Sequence, residues 1–347
     1  MTSETLAFGP TECLASARRG LAWLLSLQTR EGAWRRLHTE VLDAYYKGSW
    51  ALAVMGEAAA AQRLLTHVHD RFLLPDGDLT PRGGDWHYDV HHLYAYAYVI
   101  IGAHRLERYE ISLPAVRYLL SQQDPDHGGF YSSKTAAGHK FRSDTMSTSA
   151  CGLACLAAGH IEEARRVADH FARMIEMQPA PDERFFTTLE ADGRLGTDFP
   201  QGETWWRVID TRQENQCWYA VCLPFAFCVL LTQATGEKHY ADLADWFFAF
   251  QSRCVNPWDG GSSGKAGWGC SVLYRITGER RYRDIALHVA QNIVGYQTAS
   301  GWYLGGVKPQ PGMIEPEQHD GDTFDATAEF VLLLALIASN IGARDGA

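Results

Sequence analysis

Six glycines set the frame of this chain. Gly56, Gly102, Gly159, Gly236, Gly278 and Gly342 each close an apolar stretch, as in WALAVMG, LACLAAG and LIASNIG. A glycine just past a run of helix formers is the usual left-handed helix stop, because it has no Cβ to clash there. A second helix is predicted to start almost at once after five of them, as in Gly236-Glu237-Lys238-His239-Tyr240, whereas only five residues follow Gly342. Recurrence of one supersecondary unit points to a repeat architecture.

Counting back from each glycine predicts apolar helices over about 40–56, 87–102, 143–158, 211–235, 262–277 and 322–341. Their polarity gathers at the N-terminal ends, and the rest is apolar nearly all round, as expected of helices buried on every side. The partner segments, about 11–28, 59–73, 107–123, 160–177, 238–253 and 280–297, are amphipathic instead. In Ile161-Glu162-Glu163-Ala164-Arg165-Arg166-Val167, apolar residues recur at helical spacing with charges between them. Six buried and six amphipathic helices in alternation predict an all-α fold, an (α/α)6 barrel or toroid, as one domain over 1–347.

The connections are unequal. Turns from inner to outer helix are short, while outer-to-inner segments are long: 29–39, 74–86, 124–142, 178–210, 254–261 and 298–321. With helices alternating up and down, all the long segments fall at the end where inner helices begin. Long loops in a compact domain are usually functional, and exposed amides at helix starts favour negative charge. That end is the expected active-site face.

Composition narrows the partners. Forty-one acidic against 31 basic residues give a formal net charge of −10, and no basic run exceeds two residues, so nucleic acid and anionic membrane are not expected. No uncharged stretch reaches the length of a membrane span; 330–341 is apolar but short. MTSETLAFGPTECL lacks a basic region followed by an apolar one, so no secretory leader and a cytoplasmic location are expected. The eight cysteines have neither CxxC nor zinc-finger spacing and read as reduced core residues. No cofactor or metal is called. The expected partner is a small-molecule substrate, and a homo-oligomer stays open.

The ends of the outer helices carry a resemblance. Gln28-Thr29-Arg30-Glu31-Gly32-Ala33-Trp34 fits the Q-x3-G-x-W repeat of squalene and oxidosqualene cyclases, Gln297 to Tyr303 fits with tyrosine last, and Gln123 to Phe130 is similar with one extra residue. The chain thus resembles the α/α toroid superfamily of terpenoid cyclases and protein prenyltransferases. The resemblance implies that the glutamine and the aromatic residue tie neighbouring helices together, which bears on fold more than on chemistry. The cyclase acid motif D-x-D-D and the metal motif D-D-x-x-D are absent.

Polar residues at inner-helix starts are the catalytic candidates. Asp85-Trp86-His87-Tyr88-Asp89-Val90-His91-His92 is the densest cluster. At helical spacing Asp89 and His92 share a face, as do His87 and His91. A histidine beside a carboxylate suits general acid–base work; structural hydrogen bonding and metal ligation by His87 and His91 are the alternatives. Asp322, Asp325 and Glu329 fall on one stripe of an otherwise apolar helix, where a carboxylate is costly unless paired or used. They are read as a proton donor, as partners for a hydroxylated substrate, or as ion-pair partners of Arg212 or Lys265. Asp144 is a helix cap or a catalytic carboxylate. Glu214 joins the catalytic candidates. Tyr46, Trp86, His91, Trp206, Arg212, Cys217, Trp218, Trp268 and Asp322 are expected to contact substrate, with inert core the alternative for Cys217 and a lid for Trp205-Trp206-Arg207. Two functional classes follow. One is a cofactor-independent cyclase, isomerase or lyase acting on a small, partly apolar natural-product or isoprenoid-like molecule, with Asp89 and His92 or Asp325 as acid. The other is a carbohydrate-active enzyme, a glycoside or unsaturated-uronyl hydrolase or sugar epimerase, with Asp89 and Asp144 as paired carboxylates.

Overall fold

The computed structural model describes residues 8–80, 91–133 and 140–346. Twelve helices build the ring: α1 (Pro10–Leu27), α2 (Gly48–Val54), α3 (Ala58–Phe72), α4 (Tyr94–Arg105), α5 (Tyr109–Ser121), α6 (Thr145–Ala157), α7 (Ile161–Glu176), α8 (Tyr219–Thr235), α9 (Lys238–Ser252), α10 (Gly264–Thr277), α11 (Arg280–Val294) and α12 (Gly321–Asp345). The even-numbered helices form the inner ring, each packed on the next, and α12 closes it against α2. The odd-numbered helices wrap the outside, and α1 covers α12, so the two ends of the chain seal the toroid. The (α/α)6 architecture is therefore as the helix pattern predicts.

The burial follows the sequence pattern. In α7, Ala164, Val167, Ala168, Phe171 and Met174 face inward while the charges between them stay in water. In α8, eleven residues from Ala220 to Leu231 are buried, because this helix is enclosed by the ring. By length and composition alone α12 could cross a membrane, and 72% of its most apolar window is buried inside the toroid.

Four of the six glycines, Gly56, Gly159, Gly236 and Gly278, turn the chain with φ between +74° and +86°. Gly102 and Gly342 lie within helices instead. A Cβ on Gly102 would overlap the Ser49 hydroxyl, so this glycine serves the close approach of α4 to α2. The left-handed turn after α4 falls to Glu107 at φ +59°.

The Q-x3-G-x-W segments join neighbouring outer helices. The Gln28 amide donates to the Ala60 carbonyl of α3 (3.0 Å), Gln123 to Glu163 of α7 (3.0 Å) and Gln297 to Ser16 of α1 (2.9 Å). The glycine of the motif is needed twice over: Gly32 has φ +92°, and a Cβ there would run into the Arg63 carbonyl of α3. Leu73 to Leu79 repeats the spacing without glutamine or tryptophan. A backbone bridge links its ends as one links Gln28 to Trp34, and Gly77 packs on the Pro114 carbonyl of α5. Sequence inspection misses this fourth copy, since its two diagnostic side chains are gone.

Two inner segments differ from expectation. Residues 40–56 break into one turn at Leu42–Ala44 and the short α2, and the helix predicted from 211 begins at Tyr219. The 178–210 segment is not structureless. Its strands β2 (Arg184–Phe186) and β4 (Val208–Asp210) pair antiparallel, while β3 (Thr188–Leu189) pairs with β1 (Ser143–Asp144) at the start of α6.

Candidate active site

A cavity of about 820 Å³ of empty space, mouth included, opens at the end of the ring where the inner helices begin. Its walls carry Tyr46, Tyr94, Tyr219, Met146, Cys217, Trp205 and Trp206, and its ionisable lining is Asp43, Lys47, His91, Asp322, Asp325 and Glu329. The mixed apolar and polar lining suits a small organic ligand.

One wall is a buried charge network. Asp325 and Glu329 are one helical turn apart on α12 and so share a face. Lys47, from the irregular residues just before α2, bonds to Asp325 (2.9 Å) and to Glu329, and Lys265 of α10 bonds to Glu329 from the other side. Both ammonium groups also lie against aromatic rings. Lys47 Nζ is 4.8 Å from the centroid of Tyr46 and 5.5 Å from those of Tyr94 and Tyr98, while Lys265 Nζ is 4.1 Å from Tyr219.

The two carboxyls are driven apart in acidity. Burial raises both. Glu329, clasped by Lys265 and Lys47, is nonetheless held down at about 2. Asp325 has Lys47 as its cation and Glu329 as a like-charged neighbour, and it is pushed up to about 6. Burial lowers the pKa of Lys265, Glu329 opposing; for Lys47 burial also disfavours charge, but Asp325 and Glu329 outweigh it. Of the two, Asp325 is the readier to hold a proton and Glu329 the readier to stay charged.

His91 and Asp144 form a second group. Asp144 caps α6 by accepting from the Ser147 amide (2.7 Å) and hydroxyl (2.9 Å). His91 Nδ1 lies 3.2 Å from the same hydroxyl and 3.5 Å from Asp144 Oδ2. Burial raises the Asp144 carboxyl, but His91 and Ser147 hold it below its ordinary value. By ring order α6 stands opposite α12, so the two polar groups approach the cavity from different walls.

Of the residues expected from sequence, Tyr46, His91, Trp206, Cys217, Asp322 and Asp325 line the cavity, and Asp144 stands behind His91. Trp86 and Asp89 lie outside the described residues, with His87. Five expected residues are corrected by position. His92 has no exposed surface and faces the outer ring, 3.1 Å from the Tyr96 hydroxyl and 3.8 Å from Asp78, and is not part of the cavity lining. Glu214 sits on an exposed loop bonded to Asn256. Arg212 is exposed and chelates Asp210, not Asp325 or Glu329. Trp218 and Trp268 are packed in the core, the latter edge-on to Trp50, and neither is part of the cavity wall. Cys217 reaches the cavity, but burial pushes its thiol up to about 12, Lys265 only partly opposing, so it stays protonated.

The ion-pair reading of the α12 stripe holds for Lys265, and Lys47 is the partner that inspection of the sequence overlooks. Its signal was present: a lysine inside AYYKGSWALAV is as costly to bury as a carboxylate inside α12. Tyr94, Tyr219 and Met146 carry no such signal. Among the described residues no three His, Cys, Asp or Glu side chains converge as a metal site.

No family model and no curated protein sequence matches the chain. Solved structures do. A D-mannose isomerase aligns with TM-score 0.68 at 14% identity over 95% of this chain and 99% of its own. A family 76 α-mannanase from Bacteroides thetaiotaomicron aligns at 0.64 and 14%, over 93% and 95%. A type II terpene cyclase from Scytonema, in complex with the product merosterolic acid A, aligns at 0.57 and 12%, over 95% and 98%. At such identities the likeness is one of fold: the chain is an (α/α)6 toroid.

Proposed function

We propose that the toroid is an acid–base enzyme, an isomerase, cyclase or lyase, working without a cofactor on a small, partly apolar molecule held in the central cavity. The observation that carries this reading is Asp325. It lines the cavity, is tied to Lys47, and burial with the like-charged Glu329 beside it pushes the carboxyl up to about 6, so it holds its proton in mildly acidic water. A general acid works best with a pKa close to the operating pH. In the reaction Asp325 delivers a proton to the substrate. His91, with Nδ1 turned to Ser147 and Asp144, accepts one through its other ring nitrogen. Glu329 and the two lysines keep their charges throughout. The aromatic wall excludes water from the reacting face.

A carbohydrate-active enzyme is the second reading, favoured by Trp205 at the mouth. Its indole is 53% exposed and meets Trp206 edge-on at 5.2 Å, and an exposed indole is a surface on which a sugar ring can pack. Against paired-carboxylate hydrolysis, Asp325 and Glu329 lie on one helix bound to the same lysine, and Asp144 is engaged as a cap.

Solvent deuterium exchange separates these readings. Cyclic terpenols and ketones, free sugars and aryl glycosides would be incubated in D₂O with wild type, Asp325→Asn and His91→Ala. Deuterium entering an apolar ligand or a free sugar, lost in both variants, supports acid–base isomerisation. Glycoside cleavage without exchange supports the hydrolase, and exchange that survives both substitutions overturns the assignment of Asp325 and His91.

A further inference from the structure

Resting on the reading of a partly apolar ligand, we propose that Trp206 sets how long a ligand the cavity accepts: its indole closes off an annex that would otherwise take a further length of hydrocarbon chain. The annex is a second cavity of about 210 Å³ of empty space, with Asp144, Thr145, Thr187 and Ala220 at its far side. Among the described residues His91, Met146, Trp206 and Cys217 line both cavities, and so belong to the wall between them. Cys217 is small, His91 is held by Ser147 and Asp144, and Met146 is an unbranched chain that can turn aside. Trp206 is the largest of the four and stands on a braced backbone.

The brace comes from the strands beside it. Trp206 lies in a single helical turn, Thr204–Arg207, that runs straight into β4. Thr187, between β2 and β3, donates its hydroxyl to the Trp206 carbonyl (3.2 Å) and its amide to the Arg207 carbonyl (3.0 Å). The buried Arg207 guanidinium donates to Glu203 (2.6 Å) and Thr188 (3.1 Å) and lies 5.6 Å from the Trp206 ring. Trp206 is thereby buried, whereas Trp205 stands out at the mouth. Beyond His91, the polar side chains of the annex are engaged within the protein. Asp144 accepts from the Ser147 amide and hydroxyl, and the Thr145 hydroxyl donates to the Ala220 carbonyl (2.7 Å), as that of Thr187 does to Trp206. What the annex adds for a ligand is chiefly methyl, thioether and ring surface, which suits the end of a hydrocarbon chain.

Calorimetric titration with two homologous series tests this: linear primary alcohols from hexanol to dodecanol, and geraniol, farnesol and geranylgeraniol. In wild type each added methylene is expected to tighten binding about fourfold up to one chain length, beyond which affinity levels off. Trp206→Ala moves that limit to longer members and leaves the shortest nearly unchanged; Trp206→Phe moves it less. Adding Ala220→Leu to Trp206→Ala refills the annex and restores the wild-type limit, while Trp205→Ala, at the mouth, leaves the limit in place. Melting curves check that each variant is folded, and Trp206→Phe carries the test if Trp206→Ala is not. A limit at the same length in wild type and both Trp206 variants, an affinity that rises through the whole of both series in wild type, or no alcohol bound by any of the proteins overturns the proposal. The acid–base reading fails separately: a shifted limit with no deuterium exchange into any bound alcohol removes that role and leaves the length limit standing, and exchange without a shift does the reverse.

Discussion

Two clusters of buried polar groups lie in this toroid, and they are built for different ends. Asp78, Tyr96, His92 and Tyr118 sit between inner and outer rings. The Tyr96 hydroxyl bonds Asp78 and lies 3.1 Å from His92, and the Tyr118 ring stacks on Tyr96. Nothing in this set borders the cavity, so its hydrogen bonds fix helix positions. Lys47, Glu329 and Lys265 are buried as well and Asp325 is partly so, but three of the four line the cavity. Burial and a carboxylate partner are common to both; access to a ligand separates them. A histidine–carboxylate spacing in sequence therefore cannot tell the two apart.

Substitutions can sharpen that contrast, beginning with the largest effect. Asp325→Asn is expected to lower turnover by about 10²–10⁴ while the unfolding midpoint in urea moves little, because its amide still faces Lys47. Glu329→Ala leaves two buried ammonium groups short of a partner and is expected to cost about 3–5 kcal/mol in unfolding free energy; a change under about 1 kcal/mol would show the network to be hydrated. His92→Phe, in the closed cluster, is expected to cost about 1–3 kcal/mol through the lost contact of the imidazole with the Tyr96 hydroxyl, with turnover per folded molecule unchanged. Loss of activity there beyond loss of folded protein would return His92 to the site.

The dependence on pH gives finer tests. Asp325 is raised from 3.8 to about 6, so the native state binds its proton more tightly than the unfolded chain does. Its contribution is present below pH 4 and lost as pH rises toward 6, so Asp325→Asn should flatten that part of the stability profile. Glu329, lowered from 4.5 to about 2, acts oppositely: its contribution is full above 4.5 and disappears as pH falls toward 2. His170 is held neutral mainly by burial, with His127 nearby, and falls from 6.5 to about 3. The unfolded chain takes up its proton first, so acidification from 6.5 to 3 destabilises the protein, and His170→Leu should remove that slope. These profiles are read from urea midpoints across pH.

Much of the architecture is local and therefore legible. Helix periodicity, the glycine stops and the unequal loops are each set within a few residues, and they predict the ring and its working end. The fourth repeat at Leu73–Leu79 escapes because backbone spacing persists there after its marker side chains are lost. The site is less legible. The α12 carboxylates stand out, since charge in an apolar helix needs a reason, whereas Tyr94 and Tyr219 look like any core aromatic.

By itself, then, the sequence determined a six-hairpin toroid and the end at which chemistry would sit, because short-range helix signals carry both. Which ionisable groups meet was decided only by ring closure. Lys47 and Glu329 are 282 positions apart and bond because α12 packs on α2. The adjacent histidines part for the same reason: His91 lines the cavity beside Asp144 and His92 turns to the outer ring. Their neighbours come from separate helices, and only packing fixes which face each residue presents.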